Sequence, residues 1–409
     1  MQLKPLSKYA LKCPRCGYEV EPSPYIMRCP RCGELLDALL IAEKIKIRWG
    51  ELRGRGVWRY RDLLPEFKNV VTMGEGSTPL IRLRAYPNAY VKFEGANPTG
   101  SFKDRGMTVG VSLASSLRVR GVIVASTGNT AASAAAYSAR AGIDCMVVLP
   151  KGGVAKGKLG QAILHGARIV EVPGTFDNAL EYVLSTVLES GSAGNASYYP
   201  LNSINQWRLE GQKTIAYEIV EEGGVPDYVF VPVGNGGNIY AIWKGFRELM
   251  ELNIIDKMPK MIGVQASGAA PLVKYWRGLG EAKVDKPSTV ASAIRIGKPV
   301  NWFRAYRAVK YSGGTFIDVS DDEILAAQRI LGKEGIGVEP ASAASLAGYL
   351  KALNSGLINV KDKVVLIATG HALKDPDTLL LSSDNNAISI SSINELKALI
   401  INGNVKIKY

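Results

Sequence analysis

The feature that most restricts the fold is a set of apolar runs without alternation: "GVIVAST" at 121–127, "DCMVVLP" at 144–150, "ARIVEVP" at 167–173, "DYVFVPV" at 227–233, "KMIGVQA" at 260–266 and "KVVLIATG" at 363–370. A strand with one wet face alternates apolar and polar residues, whereas a continuous Val/Ile run belongs to a strand buried on both faces. Helical patterns lie between them at 129–142, near 156–166 and near 176–190. Such strands need crossover helices as cover, so the chain reads as an α/β protein with parallel sheets. At 409 residues it is too long for one compact core. The runs fall into two groups, 120–173 and 227–370, and predict two α/β domains with a cleft between them. The expected division is a smaller domain at 97–199, a larger one made of 41–96 with 200–380, and a C-terminal tail at 381–409 holding one short helix. "LLIAEKIKIRW", at 39–49, reads as an amphipathic helix.

Residues 1–40 form a separate module. Four of the five cysteines, Cys13, Cys16, Cys29 and Cys32, stand in a doubled "CPRCG" pattern. Each C-P-x-C-G is a tight knuckle that brings two thiolates to one side, and two knuckles suit a tetrahedral structural zinc. A metal also explains how so short a module folds with little core. Cys145, inside "CMVVLP", reads as a small core hydrophobe.

The net charge of +13 is spread along the chain with no run of five basic residues, which favours a small anionic ligand over nucleic acid. The first residues show no apolar export signal, and no uncharged apolar run reaches the roughly 18 residues of a membrane helix. The expectation is a cytoplasmic protein without membrane or nucleic-acid partners.

Polar turns follow the apolar runs. Gly234, Asn235, Gly236, Gly237 and Asn238 separate a strand from a helix beginning near Ile239. Successive backbone N–H groups at a helix start form a cradle for one phosphate group. The spacing is not that of a dinucleotide loop. "GGVAKGKL", 152–159, approaches a nucleoside-triphosphate loop but puts Leu159 where a magnesium-binding hydroxyl is needed. Ser126, Thr127, Asn129 and Thr130 crowd another helix start with more polar groups than one cap needs, which suits an anion such as a carboxylate. Thr369 and His371 follow the strand at 363–368. Parallel sheets place ligand sites at the carboxyl ends of strands, so Thr369, 126–130 and 234–238 are expected to converge in one cleft. His165 and His371 read as structural.

Lys103, in "NPTGSFKDRG", begins a helical pattern, and both the helix start and Arg105 disfavour its ammonium. A lysine, a single-phosphate cradle, an asparagine turn and a hydroxyl at a strand end are the parts needed to hold pyridoxal phosphate.

"NPTGSFKDRG", "STGNTAAS", "VGNGGN", "GVEPASAAS" and "IATGHALKD" resemble, in that order, the fold-type-II (tryptophan synthase β-like) pyridoxal-phosphate enzymes. "GEGSTPL", "GARIVEVPGTFDNAL", "LNSINQWRLEGQKTIAYEI" and the cysteine ribbon narrow the resemblance to the threonine synthase family, over roughly residues 10 to 380. The family usually has Pro where Gln206 stands. The resemblance implies that Lys103 bonds to the cofactor's aldehyde carbon and then acts as acid and base. Asn129 would meet the phenolic oxygen, 234–238 the phosphate and Thr369 the ring nitrogen. Phe102 would pack near the cofactor. Ser126, Thr127 and Thr130 would lie near the substrate's carboxylate or phosphate, and Asn202 and Arg208 would help bind the substrate's phosphate. The implied substrate is a small amino-acid phosphate, O-phospho-L-homoserine, with cysteate synthase and threonine/serine dehydratase chemistry as the rivals on the same fold. A homodimer is the implied assembly.

Overall fold

A computed structural model of the chain describes residues 6–152, 156–191, 197–382 and 389–402. The chain opens with a three-stranded antiparallel sheet, β1 (Tyr9–Lys12), β2 (Glu19–Val20) and β3 (Asp37–Leu40), in the order β2-β1-β3. The helix expected at 39–49 does not form. Leu39 and Leu40 pair with Ala10 and Tyr9 of β1 as the end of β3, and a 3-10 turn, Ala42–Lys44, follows. Ile45 and Ile47 then alternate with charged residues up to a second 3-10 turn, Trp49–Glu51, and Ile45, Ile47 and Trp49 pack against the core, a period of two and not the period of a helix.

Next come β4 (Leu80–Arg82), β5 (Ala89–Phe93) and the helix α1 (Lys103–Ser116). A four-stranded parallel sheet follows: β6 (Gly121–Ala125), α2 (Asn129–Ala141), β7 (Asp144–Pro150), α3 (Lys156–Leu164), β8 (Arg168–Val172), α4 (Phe176–Gly191) and β9 (Tyr198–Pro200), ordered β8-β7-β6-β9. The chain continues through α5 (Gln206–Gln212), α6 (Thr214–Gly223), β10 (Tyr228–Pro232), α7 (Gly237–Glu251), β11 (Lys260–Ala266), α8 (Pro271–Trp276), α9 (Trp302–Tyr311), β12 (Thr315–Val319), α10 (Asp321–Lys333), α11 (Pro340–Asn354) and β13 (Val364–Ala368). Its strands join β4 and β5 in a six-stranded sheet, β12-β11-β10-β13-β5-β4, parallel except for β4. Two peripheral helices, α12 (Pro376–Ser382) and α13 (Ile393–Asn402), follow.

All but one of the apolar runs form largely buried strands, as expected; the run at 167–173 is the exception. β6 and β13 are buried at every residue, while β8, at the edge of its sheet, is partly exposed throughout. Helices cover both sheets, as parallel strands require. In the 152–159 stretch, residues 153–155 lie outside the described residues, and Leu159 is buried in the core. Of the tail, 383–388 and 403–409 lie outside them as well.

One close approach fixes how α1 meets α5. α1 and α5 cross at Gly211, where an added Cβ would fall 1.6 Å from the Arg105 carbonyl oxygen. No larger residue fits, and the contact brings the start of α1 against the helix that carries Arg208.

Candidate active site

The carboxyl ends of β6, β10 and β13 open on one cavity of about 700 Å³. That size and position suit a small-molecule site in an α/β protein. Lys103, Ser126, Thr127, Asn129, Thr130, Asn202, Arg208, Gly234, Asn235, Gly236, Gly237, Asn238 and Thr369 all line it, as does Phe102. Every cofactor and substrate residue expected from the sequence is therefore brought to one place.

Lys103 is held by the loop before it. Phe102 N–H donates to the Thr369 carbonyl at 3.0 Å, and His371 N–H donates to the Gly100 carbonyl at 2.8 Å. The turn carrying the lysine is thus laced to the end of β13. Behind it, Asp104 accepts from Thr99 N–H, the Thr99 hydroxyl and the Ser133 hydroxyl at 2.7, 2.6 and 2.5 Å. Arg105 is fully buried, with Glu94 at 2.6 Å and Glu218 at 2.7 Å. These contacts fix the first turn of α1, so Lys103 is aimed by three anchored neighbours. Its ammonium nitrogen lies 4.4 Å from the Phe102 ring centroid.

Desolvation, and then the Arg208 guanidinium, pull the Lys103 pKa down to about 7, against an upward push from Glu339. The perturbing cation is Arg208 and not Arg105, because Arg105's charge is matched by its two carboxylates. Arg208 is itself buried, and burial draws its pKa down to about 10. Its Nε has no hydrogen-bond partner, and no carboxylate forms an ion pair with it among the described residues. A buried guanidinium without a carboxylate is costly unless an anion completes it.

The 234–238 loop forms the opposite wall. Gly236 has φ +83°, and a Cβ there would stand 2.9 Å from Ala305 Cβ and 3.0 Å from the Asn301 carbonyl. Glycine is required both for the left-handed turn and for the close approach. No side chain caps α7, and Gly237, Asn238 and Ile239 of its first turn line the cavity. Both polar atoms of the Asn238 amide are buried without a partner. At the end of β13 the Thr369 hydroxyl lies 2.9 Å from that of Ser342, which also accepts from Gly370 N–H at 2.8 Å.

Asn129 begins α2, and its Nδ2 donates to both oxygens of Glu339, at 3.0 and 3.1 Å. Glu339 lines the same cavity, and burial raises its pKa to about 7 while the Asn129 amide opposes the rise. It is a site residue that the sequence reading passed over, although it stands in the "GVEPASAAS" stretch; an acid among small apolar residues just before a helix-starting Pro340 was the available signal. Lys374 was also missed. It lines the cavity and donates to the Thr99 carbonyl at 3.0 Å. Asn202 lines the cavity while its amide clasps Ala125, accepting from the N–H at 2.9 Å and donating to the carbonyl at 2.8 Å. His371 caps a short turn through Nδ1, which accepts from Leu373 N–H.

The cysteine ribbon lies apart from the cavity. Its four sulfurs fall within 4.8 Å of one another, with Cys13–Cys32 at 3.4 Å and Cys16–Cys29 at 3.6 Å. Four thiolates at about 2.3 Å from a tetrahedral zinc are separated by distances of this order. The two knuckles repeat one backbone pattern. Gly17 N–H donates to Cys13 and Gly33 N–H to Cys29, with φ +72° and +75° at the two glycines. The donor set fits zinc.

The cavity likewise fits pyridoxal phosphate. An uncapped helix start behind a glycine turn suits its phosphate, the partnerless Asn238 amide has polar atoms to offer a ligand, and Lys103 is near neutrality. The model of the family described as pyridoxal-phosphate dependent enzyme matches residues 71–370. The threonine synthase of Methanocaldococcus jannaschii is 48% identical over 408 residues, covering 95% of this chain and 98% of its own. That of Methanosarcina acetivorans is 47% identical over 405 residues, with 96% and 98% covered. That of Mycobacterium tuberculosis is 50% identical over 330 residues, with 78% and 89% covered. Among solved structures, the processed threonine deaminase isoform 2 of Solanum lycopersicum superposes with a TM-score of 0.62 at 24% identity, over 76% of this chain and 88% of that one. Maize serine racemase gives 0.62 at 22%, over 75% and 91%. These two likenesses speak for the fold alone. With Lys103, the 234–238 glycine turn and the Thr369 hydroxyl in one cavity, and with relatives matched over nearly their whole length, the chain belongs to the pyridoxal-phosphate-dependent enzyme family, in its threonine synthase branch.

Proposed function

We propose that this chain converts O-phospho-L-homoserine and water to L-threonine and phosphate, with pyridoxal phosphate held at Lys103. The observation that carries the substrate choice is Arg208. The 234–238 turn would take the cofactor's phosphate, and the cavity separately holds a buried guanidinium without a carboxylate among the described residues, beside Lys103. A substrate bearing its own phosphate would complete that guanidinium, and a bidentate Arg grip suits such a group. The names of the relatives support the same reaction.

Pyridoxal phosphate supplies an electron sink for the pair left when a carbon-bound proton is removed. The chain's residues do the rest. Backbone N–H groups of Gly234, Asn235, Gly236, Gly237 and Asn238 would hold the cofactor's phosphate. Asn129, oriented by Glu339, would meet its phenolic oxygen, and Thr369, held by Ser342, its ring nitrogen. Ser126, Thr127 and Thr130 would bind the substrate's carboxylate. Asn202, clasped to Ala125, would set the wall beside Arg208. With a pKa of about 7, Lys103 can accept a proton at Nζ and return it near neutral pH. It would take the Cα proton, give it up, and then take a Cβ proton as phosphate leaves from Cγ. A proton returned to Cγ makes it a methyl group, the hydroxyl of water adds to Cβ, and a proton returned to Cα completes L-threonine.

The reading extends to organisation. A smaller domain at 97–199 would close on a larger one, 41–96 with 200–380, to order water around the substrate. The 1–40 module would hold zinc at Cys13, Cys16, Cys29 and Cys32. A cytoplasmic homodimer follows from the resemblance. No helix among the described residues is long and apolar enough to cross a membrane.

The test is an assay of phosphate and threonine released from O-phospho-L-homoserine, beside O-phospho-L-serine and L-threonine as rival substrates. The proposal expects turnover of the first and a raised KM for it in Arg208→Met. Inert O-phospho-L-homoserine, with either rival consumed, overturns it.

A further inference from the structure

We propose that the N-terminal ribbon sets the geometry of the phosphate loop through a buried hydrogen-bonded chain, Asp37–Arg304–Asn301–Asn235, so that zinc in the ribbon governs affinity for the phosphate-bearing cofactor. This rests on the reading that 234–238 holds that phosphate.

The chain begins at the second cysteine knuckle. Cys29 N–H donates to the Glu34 carbonyl at 2.7 Å and Leu36 N–H to the Met27 carbonyl at 3.0 Å, which carries the knuckle directly into Asp37 at the start of β3. Asp37 is 2% exposed. Its carboxylate takes Arg304 Nε at 3.0 Å and Arg307 Nη1 at 2.7 Å, both from α9, and Arg304 Nη2 donates to the Leu36 carbonyl. Burial alone would push the Asp37 carboxyl up; the two guanidinium groups outweigh that and hold it below its ordinary value.

Arg304 passes the constraint on. Its Nη1 donates at 2.8 Å to Asn301 Oδ1, at the residue just before α9. Asn301 N–H then donates to the Asn235 carbonyl at 3.0 Å, and Val300 N–H reaches Asn235 Oδ1 at 3.4 Å. The Asn301 carbonyl is also what a Cβ on Gly236 would strike. Asn301 is therefore the template against which the glycine turn is shaped. Its Nδ2 is tied to the Ser203 carbonyl at 3.0 Å, so it has one position. A second fastening runs to the other anion group. Gln206 Nε2 donates to the Ile26 carbonyl at 2.8 Å and Trp207 Nε1 to the Ser23 carbonyl at 3.2 Å, and these two residues directly precede Arg208.

The ribbon's apolar side chains, among them Leu11, Leu35, Leu36 and Leu40, are buried in one core with Tyr199 and Trp207, so zinc is needed less for the ribbon's fold than for the two knuckles, whose clustered thiolates it would hold in place. Releasing the metal loosens the second knuckle and the segment from Cys29 to Asp37 that follows it. Arg304 then sits buried without its carboxylate and must move, and Asn301 moves with it. A cradle of backbone N–H groups works only in a fixed arrangement, so it loses strength where the template shifts. Asp37, Arg304 and Asn301 are positioning residues; none of them lines the cavity.

The experiment uses the full-length protein, freed of pyridoxal phosphate and with zinc either kept or removed by chelation. Affinities for pyridoxal phosphate and for pyridoxal, which lacks the phosphate, are measured from the visible band of the lysine-bound form. Zinc removal is expected to weaken pyridoxal phosphate by roughly 5- to 150-fold, the usual span of coupling between two sites, and to leave pyridoxal unchanged. Asp37→Asn with zinc bound reproduces the loss, and removing its zinc adds nothing more. Should Asp37→Asn not fold, Asn301→Ala with full zinc gives the same phosphate-selective loss. Equal weakening of both ligands, which general loosening would cause, overturns the proposal. So does unchanged affinity, or a protein that neither carries nor takes up zinc. These binding outcomes are independent of substrate turnover, so an inert O-phospho-L-homoserine would overturn the functional reading alone.

Discussion

Replacing Lys103 by Met should stabilise the cofactor-free protein, and do so in a pH-dependent way. The lysine's pKa falls from an ordinary 10.5 to about 7 because the folded chain desolvates it and places Arg208 nearby. At about 1.4 kcal/mol per pH unit, that gap corresponds to about 5 kcal/mol. Lys103 faces the cavity, and water there screens part of it, leaving about 2 to 4 kcal/mol. The sign follows from proton counting. Between pH 7 and 10.5 the unfolded lysine is protonated and the folded one is neutral, so unfolding takes up a proton and the wild type gains stability as pH rises. Below pH 7 the folded chain carries the whole cost of a buried ammonium. The Met variant should therefore be the more stable at pH 6, with the difference shrinking steadily and levelling off near pH 10.5. Urea unfolding of both cofactor-free proteins at pH 6, 7, 8, 9 and 10 measures this directly. Since Met and Lys differ in packing by an amount independent of pH, the slope of the difference is the quantity to read. A flat difference would refute the argument and return Lys103 to the class of solvated lysines. A slope confirms that a site built for chemistry is held at a cost to stability.

Other outcomes can be checked with standard methods. Gly236→Ala places a Cβ against Ala305 and the Asn301 carbonyl at a positive φ; strain of about 1 to 3 kcal/mol should appear as roughly 5- to 150-fold weaker pyridoxal phosphate binding, measured by titration. Arg105→Met leaves Glu94 and Glu218 facing each other without their shared cation; a loss of about 3 to 5 kcal/mol is expected in denaturant unfolding. Protein purified without added metal should contain one zinc per chain, and Cys13→Ser should lose it, as read by elemental analysis. Glu339→Gln removes the carboxylate that orients Asn129; a fall in kcat/KM of about 100-fold is expected from the loosened geometry, with the enzyme still coloured by cofactor.

Much of this protein was legible because the informative signals are local. A strand buried on both faces has to be apolar, and that pattern marked β6, β7, β10, β11 and β13; the run at 167–173 also marked β8, which proved to be an exposed edge strand. Short strands escaped it. β4 and β9 have three residues each, and β12, "TFIDV", has no continuous apolar run. The 39–49 stretch differs from expectation for a related reason: Ile45 and Ile47 alternate with charged residues at a period of two, and the pairing of Leu39 and Leu40 with β1 decides the matter. The cysteine knuckles and the glycine turn were legible since each is a backbone conformation written in a few consecutive residues.

The sequence by itself determined the parts: a lysine at a helix start, a glycine cradle after a strand, an asparagine turn, a strand-end threonine and two thiolate pairs. Each depends on neighbours in the chain, so no fold was needed to see it. Tertiary structure alone decided the pairings across distance. It made Arg208 and not Arg105 the cation that depresses Lys103, because Arg105 meets Glu94 and Glu218 in the core while Arg208 meets none. It set Glu339 against Asn129 and clasped Asn202 to Ala125. It joined Asp37 of the ribbon to Arg304 and so, through Asn301, to the 234–238 loop. Residues so far apart in sequence meet only after the sheets are stacked and α1 has crossed α5 at Gly211, and the charge each of them carries in the site is set by what it meets there.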